Sequence, residues 1–213
     1  MSVNKPKVLI PAVRISERVR QLGARITSDF RSARAASADC PNAREDHAAD
    51  DAEQPLILLG VLKGALYFLA DLSREVSVPA EIEYISVASY GKSTKSSGVV
   101  RILKDLDRDI AGADVLLVED IVDTGLTLEY LLRILATRRP RSLKVCSLLD
   151  KPARRVVDVP LDYVGFTVPD EFVVGYGLDY DQRYRNLPYI ASLRNLETSG
   201  QQDRTTPPKR TGP

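Results

Sequence analysis

The hydrophobic residues of this chain form short blocks that predict strands and helices in alternation. Continuous apolar runs, typical of strands covered on both faces of a sheet, occupy residues 56–61, 115–118 and 143–149. Three further segments are predicted as strands, at 81–89, 99–103 and 163–168. Strands that alternate with helices predict an α/β fold with a mainly parallel, twisted sheet flanked by helices.

The segments between these strands carry apolar residues at helical spacing. The first predicted helix has one apolar face, with Ser16 as its expected cap, formed by Ile15, Val19, Leu22, Ile26 and Phe30. A second helix is predicted around Leu66, Phe68, Leu69 and Leu72, and a third around Leu128, Leu131, Leu132 and Leu135.

Two segments lack large apolar side chains: one lies inside the predicted domain and the other follows it. Residues 31–54 are rich in Ala, Asp, Arg and Ser, which predicts a mobile loop or a frayed helix extension. Residues 198–213 combine Gly, Gln, Thr, Pro and basic residues, and we expect a disordered tail there. Residues 8–197, with the 31–54 segment inside them, are predicted to be a single domain.

Charge and residue usage exclude several classes of function. The 30 basic and 29 acidic residues give a formal net charge of +1, so no overall field attracts nucleic acid or a membrane surface. Two cysteines and one histidine exclude a disulfide scaffold and a metal site built on several Cys and His ligands. A catalytic metal would need oxygen ligands, which favours magnesium.

The chain carries no membrane or export signal that we recognise. No apolar stretch reaches the roughly 20 residues that a membrane helix needs. The apolar run that ends at Pro11 is too short for the core of a signal peptide. We therefore expect a cytoplasmic protein.

The most informative segment joins the strand at 115–118 to the third helix. The strand ends in Glu119 and Asp120, and Asp123 follows two residues later, just before Thr-Gly-Leu-Thr at 124–127 opens the helix. Ligands of open α/β sheets bind beyond the carboxyl ends of the strands. A helix start offers unpaired amides to a phosphate. The alternative is an ordinary acidic turn that Asp123 or Thr124 caps.

The three acids suit different partners in such a site. Glu119 and Asp120 can accept hydrogen bonds from two adjacent sugar hydroxyls, or help to hold a metal-bound substrate. Asp123 lies further along the loop and can exchange a proton with a reacting base.

These residues resemble a known family. Val-Glu-Asp-Ile-Val-Asp-Thr-Gly-Leu-Thr at 118–127 is similar to the phosphoribosyl-diphosphate signature of type I phosphoribosyltransferases. Four more segments, at 60–65, 89–94, 148–155 and 169–180, resemble the hypoxanthine-guanine phosphoribosyltransferases, particularly the bacterial ones. The resemblance covers about residues 8 to 195. It implies the type I fold, with a small hood region formed by the N- and C-terminal segments.

The resemblance assigns the sugar-phosphate residues. It implies that Glu119 and Asp120 bind the ribose hydroxyls, and that Asp123 acts as general acid or base near N7 of a purine. The 5-phosphate would be held by the loop of Asp123, Thr124, Gly125, Leu126 and Thr127.

It also assigns the residues for the pyrophosphate. Leu62, Lys63 and Gly64 match the family's pyrophosphate loop, in which a non-proline cis peptide often joins the residues equivalent to Leu62 and Lys63. Arg185 would meet the pyrophosphate as well. Ser89 and Tyr90 belong to the lid that would close over the reacting centre.

The purine residues follow from the last two segments. Lys151 would donate to the exocyclic O6 of the base, and Phe172 would stack on its ring. Val173 would give backbone contacts to its far edge, and Asp179 would bind there and reach a magnesium ion. The implied metal residues are Glu119, Asp120 and Asp179.

The resemblance implies transfer of a phosphoribosyl group to N9 of a 6-oxopurine in purine salvage, by a homodimer or homotetramer that uses Mg²⁺. One alternative is a regulator that keeps this fold and binds nucleic acid, but near-zero net charge and the absence of an added domain speak against it. Another is an enzyme for a pyrimidine or orotate, against which Lys151, Phe172 and Val173 argue.

Overall fold

The structure is a computed structural model that describes residues 6–38, 54–89 and 100–193. Its helices are α1 (Ala12–Ala38), α2 (Leu66–Glu75) and α3 (Leu126–Ala136), with a short 3₁₀ turn at Pro152–Arg154. Its strands in chain order are β1 (Lys7–Ile10), β2 (Leu56–Leu62), β3 (Ala80–Ser89), β4 (Val100–Lys104), β5 (Asp114–Val122), β6 (Ser142–Asp150), β7 (Tyr163–Thr167), β8 (Val173–Val174) and β9 (Ile190–Ser192).

A six-stranded sheet in the order β4-β3-β2-β5-β6-β7 forms the centre of the molecule. Its strands are parallel except β4, which runs antiparallel to β3. The predicted α/β fold with a mainly parallel sheet is confirmed. The carboxyl ends of β2, β5 and β6 therefore meet at one edge, where a ligand site is expected.

Helices cover both faces of this sheet, because successive residues of its central strands point to opposite sides. Leu116 and Val118 of β5 belong to the core under α1 and α2. Val115 and Leu117 belong to the second core, which α3 covers. The apolar residues predicted on the three helix faces are buried in these two cores, with two exceptions. Leu66 is 44% exposed, and Leu132 is only partly buried.

Two element boundaries differ from the predictions. Helix α1 begins at Ala12, because Pro11 O accepts hydrogen bonds from the N–H groups of Arg14 and Ile15, so Ser16 lies inside the helix and the predicted cap is wrong. Strand β5 does not end before the acids, because its ladder with β6 continues through Glu119 to Val122.

Parts of the two predicted irregular segments fall outside the described residues. Helix α1 runs on to Ala38, through the first part of the 31–54 segment. Residues 39–53 and the predicted tail at 198–213 lie outside the description. Among the described helices, none combines the length and apolar character needed to cross a membrane.

A second, three-stranded antiparallel sheet in the order β1-β9-β8 forms the expected hood. Ser192 of β9 lies opposite both Lys7 of β1 and Val173 of β8. The hood thus joins the N-terminal strand to the last strand that the structure describes.

Candidate active site

The acidic pair of β5 lies at the carboxyl edge of the main sheet. Glu119 is 6% exposed and Asp120 is half-buried. A cleft beside them is lined by residues between Glu119 and Leu128. The strand therefore delivers the acidic pair to the edge of this cleft, with Glu119 in its lining.

Burial makes negative charge costly at this pair. It raises the pKa of Glu119 well above its usual value, and the neighbouring charge of Asp120 raises it further. Burial also raises the pKa of Asp120 to about 6, against the opposing effects of the Ile121 N–H bond (2.9 Å) and the Arg185 charge. Hydroxyl donors or a hard cation would stabilise the ionised pair.

The segment that follows, residues 123–127, forms a tight loop at the start of α3, which we call the phosphate loop after its predicted role. Gly125 has φ +87° and precedes the first helical residue. A Cβ at this position would lie 2.5 Å from Val157 O, so the loop needs glycine for both its backbone angle and its packing.

The carbonyl groups around this loop are all bound from one side. Donors from residues 151–157 reach Val122 O (Lys151 N, 3.0 Å), Asp123 O (Arg155 Nε, 3.2 Å) and Thr124 O (Val156 N, 2.9 Å; Val157 N, 3.1 Å). Within the described part of the chain, the N–H groups of residues 123–125 donate to no protein acceptor. Three amide donors therefore remain available to an anion.

Asp123 and Lys151 lie close to this loop. The Asp123 carboxylate is 3.5 Å from Arg154 Nε, and its Oδ1 is buried without a hydrogen bond among the described residues. Lys151 is only 5% exposed, and its Nζ donates to Glu171 O at 2.8 Å. Since Lys151 N donates to Val122 O, the residues predicted to bind the base and the ribose lie on the same side of the molecule.

Phe172 and Val173 lie at the start of the hood strand β8. Phe172 follows Glu171 directly and is 44% exposed, with its ring edge-on to Tyr180 at 5.6 Å. Val173 is buried in β8 and pairs with Ser192. An exposed aromatic ring beside a buried lysine suits a flat, polar-edged ligand.

The predicted pyrophosphate loop packs against both the acidic pair and the 175–185 loop. The Leu62–Lys63 peptide is cis, and Lys63 is exposed. A Cβ on Gly64 would overlap Asp120 Oδ2, and a Cβ on Gly177 would overlap Gly64 O. Backbone segments that are far apart in sequence therefore meet without space for a side chain.

Arg185 and Asp179 face each other near this contact. Arg185 Nη2 lies 2.6 Å from Asp179 Oδ1, and Nη1 donates to Gly177 O at 2.6 Å. Asp179 Oδ2 also accepts from Gln182 N at 2.8 Å. Within the described residues Arg185 Nε is buried and has no hydrogen-bond partner.

A magnesium ion fits this donor set only together with a substrate. In the described ranges, no group of three or more acidic, His or Cys side chains converges as a metal site, so Glu119, Asp120 and Asp179 do not form one alone. Asp179 is bound instead by Arg185 and by the Gln182 N–H group. Magnesium commonly takes one or two carboxylates and completes its shell with substrate phosphates and water. The buried acidic pair has the required oxygen chemistry.

Most of the predicted lid lies outside the described residues. Ser89 is the last residue of β3, and its backbone pairs with Val100 of β4. Tyr90, like the rest of 90–99, lies outside the described residues.

Some residues of the site were not singled out from the sequence. Arg155 binds the carbonyls of Val122 and Asp123, and Tyr176 donates from its hydroxyl to Asp71 Oδ2 at 2.6 Å, joining α2 to the 175–185 loop. Both lie inside the family-like segments 148–155 and 169–180. Only that membership pointed to them, because neither carries a typical catalytic pattern.

Comparison with known proteins agrees with this geometry. The family model for the phosphoribosyl transferase domain matches residues 31–181. Hypoxanthine-guanine phosphoribosyltransferase of Mycobacterium avium is 53% identical over 186 residues, which is 87% of this chain and 84% of that protein. Hypoxanthine phosphoribosyltransferase of Salmonella typhimurium is 46% identical over 191 residues, 90% and 97% of the two chains.

Solved structures give the same result. A Trypanosoma cruzi hypoxanthine phosphoribosyl transferase matches with a TM-score of 0.77 and 42% identity, over 91% of this chain and 93% of its own. A Bacillus anthracis hypoxanthine-guanine phosphoribosyltransferase matches with a TM-score of 0.74 and 40% identity, over 89% and 100%. The chain therefore belongs to the phosphoribosyltransferase family, and within it to the hypoxanthine-guanine phosphoribosyltransferases.

Proposed function

We propose that this enzyme transfers the 5-phosphoribosyl group of phosphoribosyl diphosphate to N9 of a 6-oxopurine, hypoxanthine or guanine. The products are the nucleoside monophosphate and pyrophosphate, and the role is purine salvage. The observation that carries the proposal is that Glu119 of the acidic pair and the loop with unpaired amides line one cleft, while the buried Lys151, beside an exposed aromatic ring, is hydrogen-bonded to the end of the same strand.

The sugar-phosphate half of the substrate would bind to the phosphate loop and the acidic pair. The available N–H groups at residues 123–125 and the hydroxyls of Thr124 and Thr127 suit the 5-phosphate, as does the positive end of the α3 dipole. Glu119 and Asp120 suit the two ribose hydroxyls, because hydrogen bonds to the ionised carboxylates offset their burial.

The diphosphate would lie between the pyrophosphate loop and the 175–185 loop. Lys63, Gly64 and Arg185 come together there, and Arg185 Nε has no other partner among the described residues. We assign Leu62, Ser89 and Tyr90 to the same subsite on the family resemblance. Magnesium bound with the diphosphate would neutralise its charge and make it a better leaving group, with Glu119, Asp120 and Asp179 as oxygen donors.

The base would lie between Lys151 and Phe172. Lys151 Nζ donates to O6 of an oxopurine, and Phe172 stacks on the ring while the Val173 backbone and Asp179 meet its far edge. Adenine has an amino group at this position, so it would leave the buried lysine facing a donor, which costs about 1–3 kcal/mol.

The reaction then follows from this arrangement. The bond between C1 of the ribose and the diphosphate oxygen breaks, and its electron pair leaves with the pyrophosphate. N9 of the purine donates the electron pair for the new C1–N9 bond. Asp123 handles the proton at N7 of the base as general acid or base.

A homodimer or homotetramer in the cytoplasm remains a prediction. No observation on the described residues favours the alternative of a nucleic-acid-binding regulator.

The decisive experiment is pyrophosphate release with magnesium and each of hypoxanthine, guanine, xanthine, adenine and orotate, for the native chain and for Lys151→Gln. We expect turnover with oxopurines and little with adenine or orotate. Lys151→Gln should lower kcat/KM for hypoxanthine roughly tenfold to a hundredfold. The ratio of kcat/KM for hypoxanthine to that for adenine should therefore fall. Lys7→Gln, an exposed substitution on β1, is the matched control.

Comparable rates with adenine or orotate in the native chain would contradict the base assignment. A shifted nucleic-acid band without any pyrophosphate release would favour the regulator instead.

A further inference from the structure

We infer that Arg155 is a positioning residue of the transfer reaction: it holds the backbone of the phosphate loop so that Asp123 and the loop amides face the substrate. This inference rests on the proposed function. It goes beyond it because Arg155 is assigned no contact with base, ribose or pyrophosphate.

The contacts of the Arg155 side chain are directed at the loop. Its Nε donates to Asp123 O at 3.2 Å, and its Nη2 lies 3.4 Å from Val122 O. Nη2 also donates to Asp150 Oδ1. The side chain is only 16% exposed, so these bonds are partly shielded from competing water.

Asp150 anchors the Arg155 side chain to the main sheet. It is the last residue of β6, and it lies opposite Val122 in the β5–β6 ladder. Its backbone carbonyl also accepts from Val168 N at 2.9 Å, at the end of β7. The Arg155–Asp150 pair therefore fixes the guanidinium to the main sheet, next to the end of the strand that carries the acidic pair.

Arg155 has one contact that no other group supplies. Backbone N–H groups also bind the carbonyls of Val122 and Thr124, but among the described residues only Arg155 binds Asp123 O. That carbonyl belongs to the peptide that joins Asp123 to Thr124. Arg155 thus orients the plane that carries both the Thr124 amide and the backbone from which the Asp123 carboxylate extends.

The aliphatic part of the side chain also supports the loop. A Cβ on Gly125 would lie 3.1 Å from Arg155 Cδ, so the arginine packs directly beneath the glycine with φ +87°. The neighbouring Arg154 differs: it is half exposed and approaches the Asp123 carboxylate instead of the backbone. The two adjacent arginines therefore serve different purposes.

The planar guanidinium is needed for this role. It binds two carbonyl oxygens and a carboxylate at once, whereas a lysine presents a single ammonium and cannot keep the same geometry. Loss of this support should misplace the reacting groups, and a displacement near 1 Å can cost about 10²-fold in rate.

The test compares Arg155→Lys and Arg155→Met with Arg20→Met, an exposed substitution on α1. Steady-state kcat and the KM for each substrate are measured, together with thermal stability and equilibrium binding of IMP. We expect both Arg155 variants to lose about 10²-fold in kcat. The KM for phosphoribosyl diphosphate and the Kd of IMP should rise about tenfold, one hydrogen bond's worth. The KM for hypoxanthine should stay within about twofold.

Arg155→Lys keeps the charge beside Asp150, so it should remain folded even if Arg155→Met does not. Native kcat in folded Arg155→Lys would overturn the inference, as would losses of kcat and stability that track each other across the variants. If the native chain binds IMP but releases no pyrophosphate, the proposed function fails. Arg155 is then judged on IMP affinity alone, and an unchanged affinity in Arg155→Lys overturns its role.

Discussion

At the scale of single residues, the site contains buried polar groups whose charge or hydrogen-bonding capacity the described part of the protein satisfies only in part. Glu119 and Asp120 have pKa values raised chiefly by burial, and neither Arg185 Nε nor Asp123 Oδ1 has a hydrogen-bond partner among the described residues. Unsatisfied buried groups cost stability in a folded chain. Such groups persist where a ligand completes them, and here Glu119 and Asp123 line one cleft.

Asp123 is the residue for which the proposed chemistry makes the clearest prediction. Asp123→Asn keeps the size of the side chain but cannot take up the N7 proton. We expect kcat to fall on the order of 10²–10⁴-fold, while the affinity for phosphoribosyl diphosphate changes little. Steady-state kinetics and equilibrium binding measure the two quantities separately.

Asp158→Asn, an exposed substitution, is the control and should leave both unchanged. Equal losses of turnover and affinity in Asp123→Asn would contradict the proton-transfer role.

Residue types and spacing were enough to predict the acids and the glycine of the phosphate loop, because a strand, three acids and a helix start within fourteen residues are rare together. Arg155 could not be identified in this way. Its proposed function depends on carbonyl groups more than thirty residues earlier, and an arginine beside a short turn usually lies in solvent.

At the scale of elements, the site depends on the meeting of two loops that follow different strands. The pyrophosphate loop follows β2, and the 175–185 loop follows β8. They touch where Gly177, at φ +104°, lies against Gly64 O. The Tyr176–Asp71 hydrogen bond fixes the same loop to α2.

Gly177→Ala should separate these loops. The new Cβ would overlap a backbone carbonyl, which cannot rotate away, and would also strain a positive φ by about 1–3 kcal/mol. We expect kcat to fall on the order of 10²-fold in addition to the loss of stability.

Gly112→Ala is the matched control, because Gly112 also has positive φ (+71°) but a Cβ there would meet nothing within 4 Å. Gly112→Ala should lower the free energy of unfolding in urea by a similar strain energy, and it should leave kcat unchanged. Kinetics that are the same in the two variants would show that loop contact is unimportant.

The long apolar runs of β2, β5 and β6 could be predicted because helices cover both of their faces. The hood strands β8 and β9 have two and three residues, too few for any periodicity to emerge. The start of α1 was missed for a different reason: Pro11 supplies a backbone carbonyl as the first acceptor, a role that side-chain capping rules do not consider.

At the scale of the whole molecule, a polar cluster ties α1 to the edge of the sheet opposite the active site. Asp114, 6% exposed at the start of β5, accepts from Arg141 (3.1 and 2.5 Å) and from Ser142 Oγ (2.6 Å). Arg34 of α1 lies 3.6 Å from the same carboxylate. Burial alone would raise the pKa of Asp114, but these hydrogen bonds and charges together lower it.

Asp114→Asn should therefore destabilise the protein in a pH-dependent way. A carboxyl group with a lowered pKa in the folded state contributes stability above its unfolded pKa of about 3.9, and this contribution is lost as the pH falls through the folded value. We expect a loss of about 3 kcal/mol that is constant between about pH 5 and 8 and shrinks below about pH 4. Urea unfolding across this range measures it.

The exposed Asp158→Asn again serves as the control. If the difference in unfolding free energy between the native chain and Asp114→Asn grew as the pH fell, its sign would contradict this account.

The strand pairing in the hood determines when, during synthesis, this part of the protein can fold. Its central strand, β9, is synthesised last among the described elements, yet it pairs with β1, which is synthesised first, and supports the strand that carries Val173. A ribosome-bound chain can assemble most of the main sheet early, but the hood strand with Val173, which we propose contacts the base, must wait until about residue 192 has left the exit tunnel. Catalytic competence is thus a late event of translation, and prematurely terminated chains would lack it.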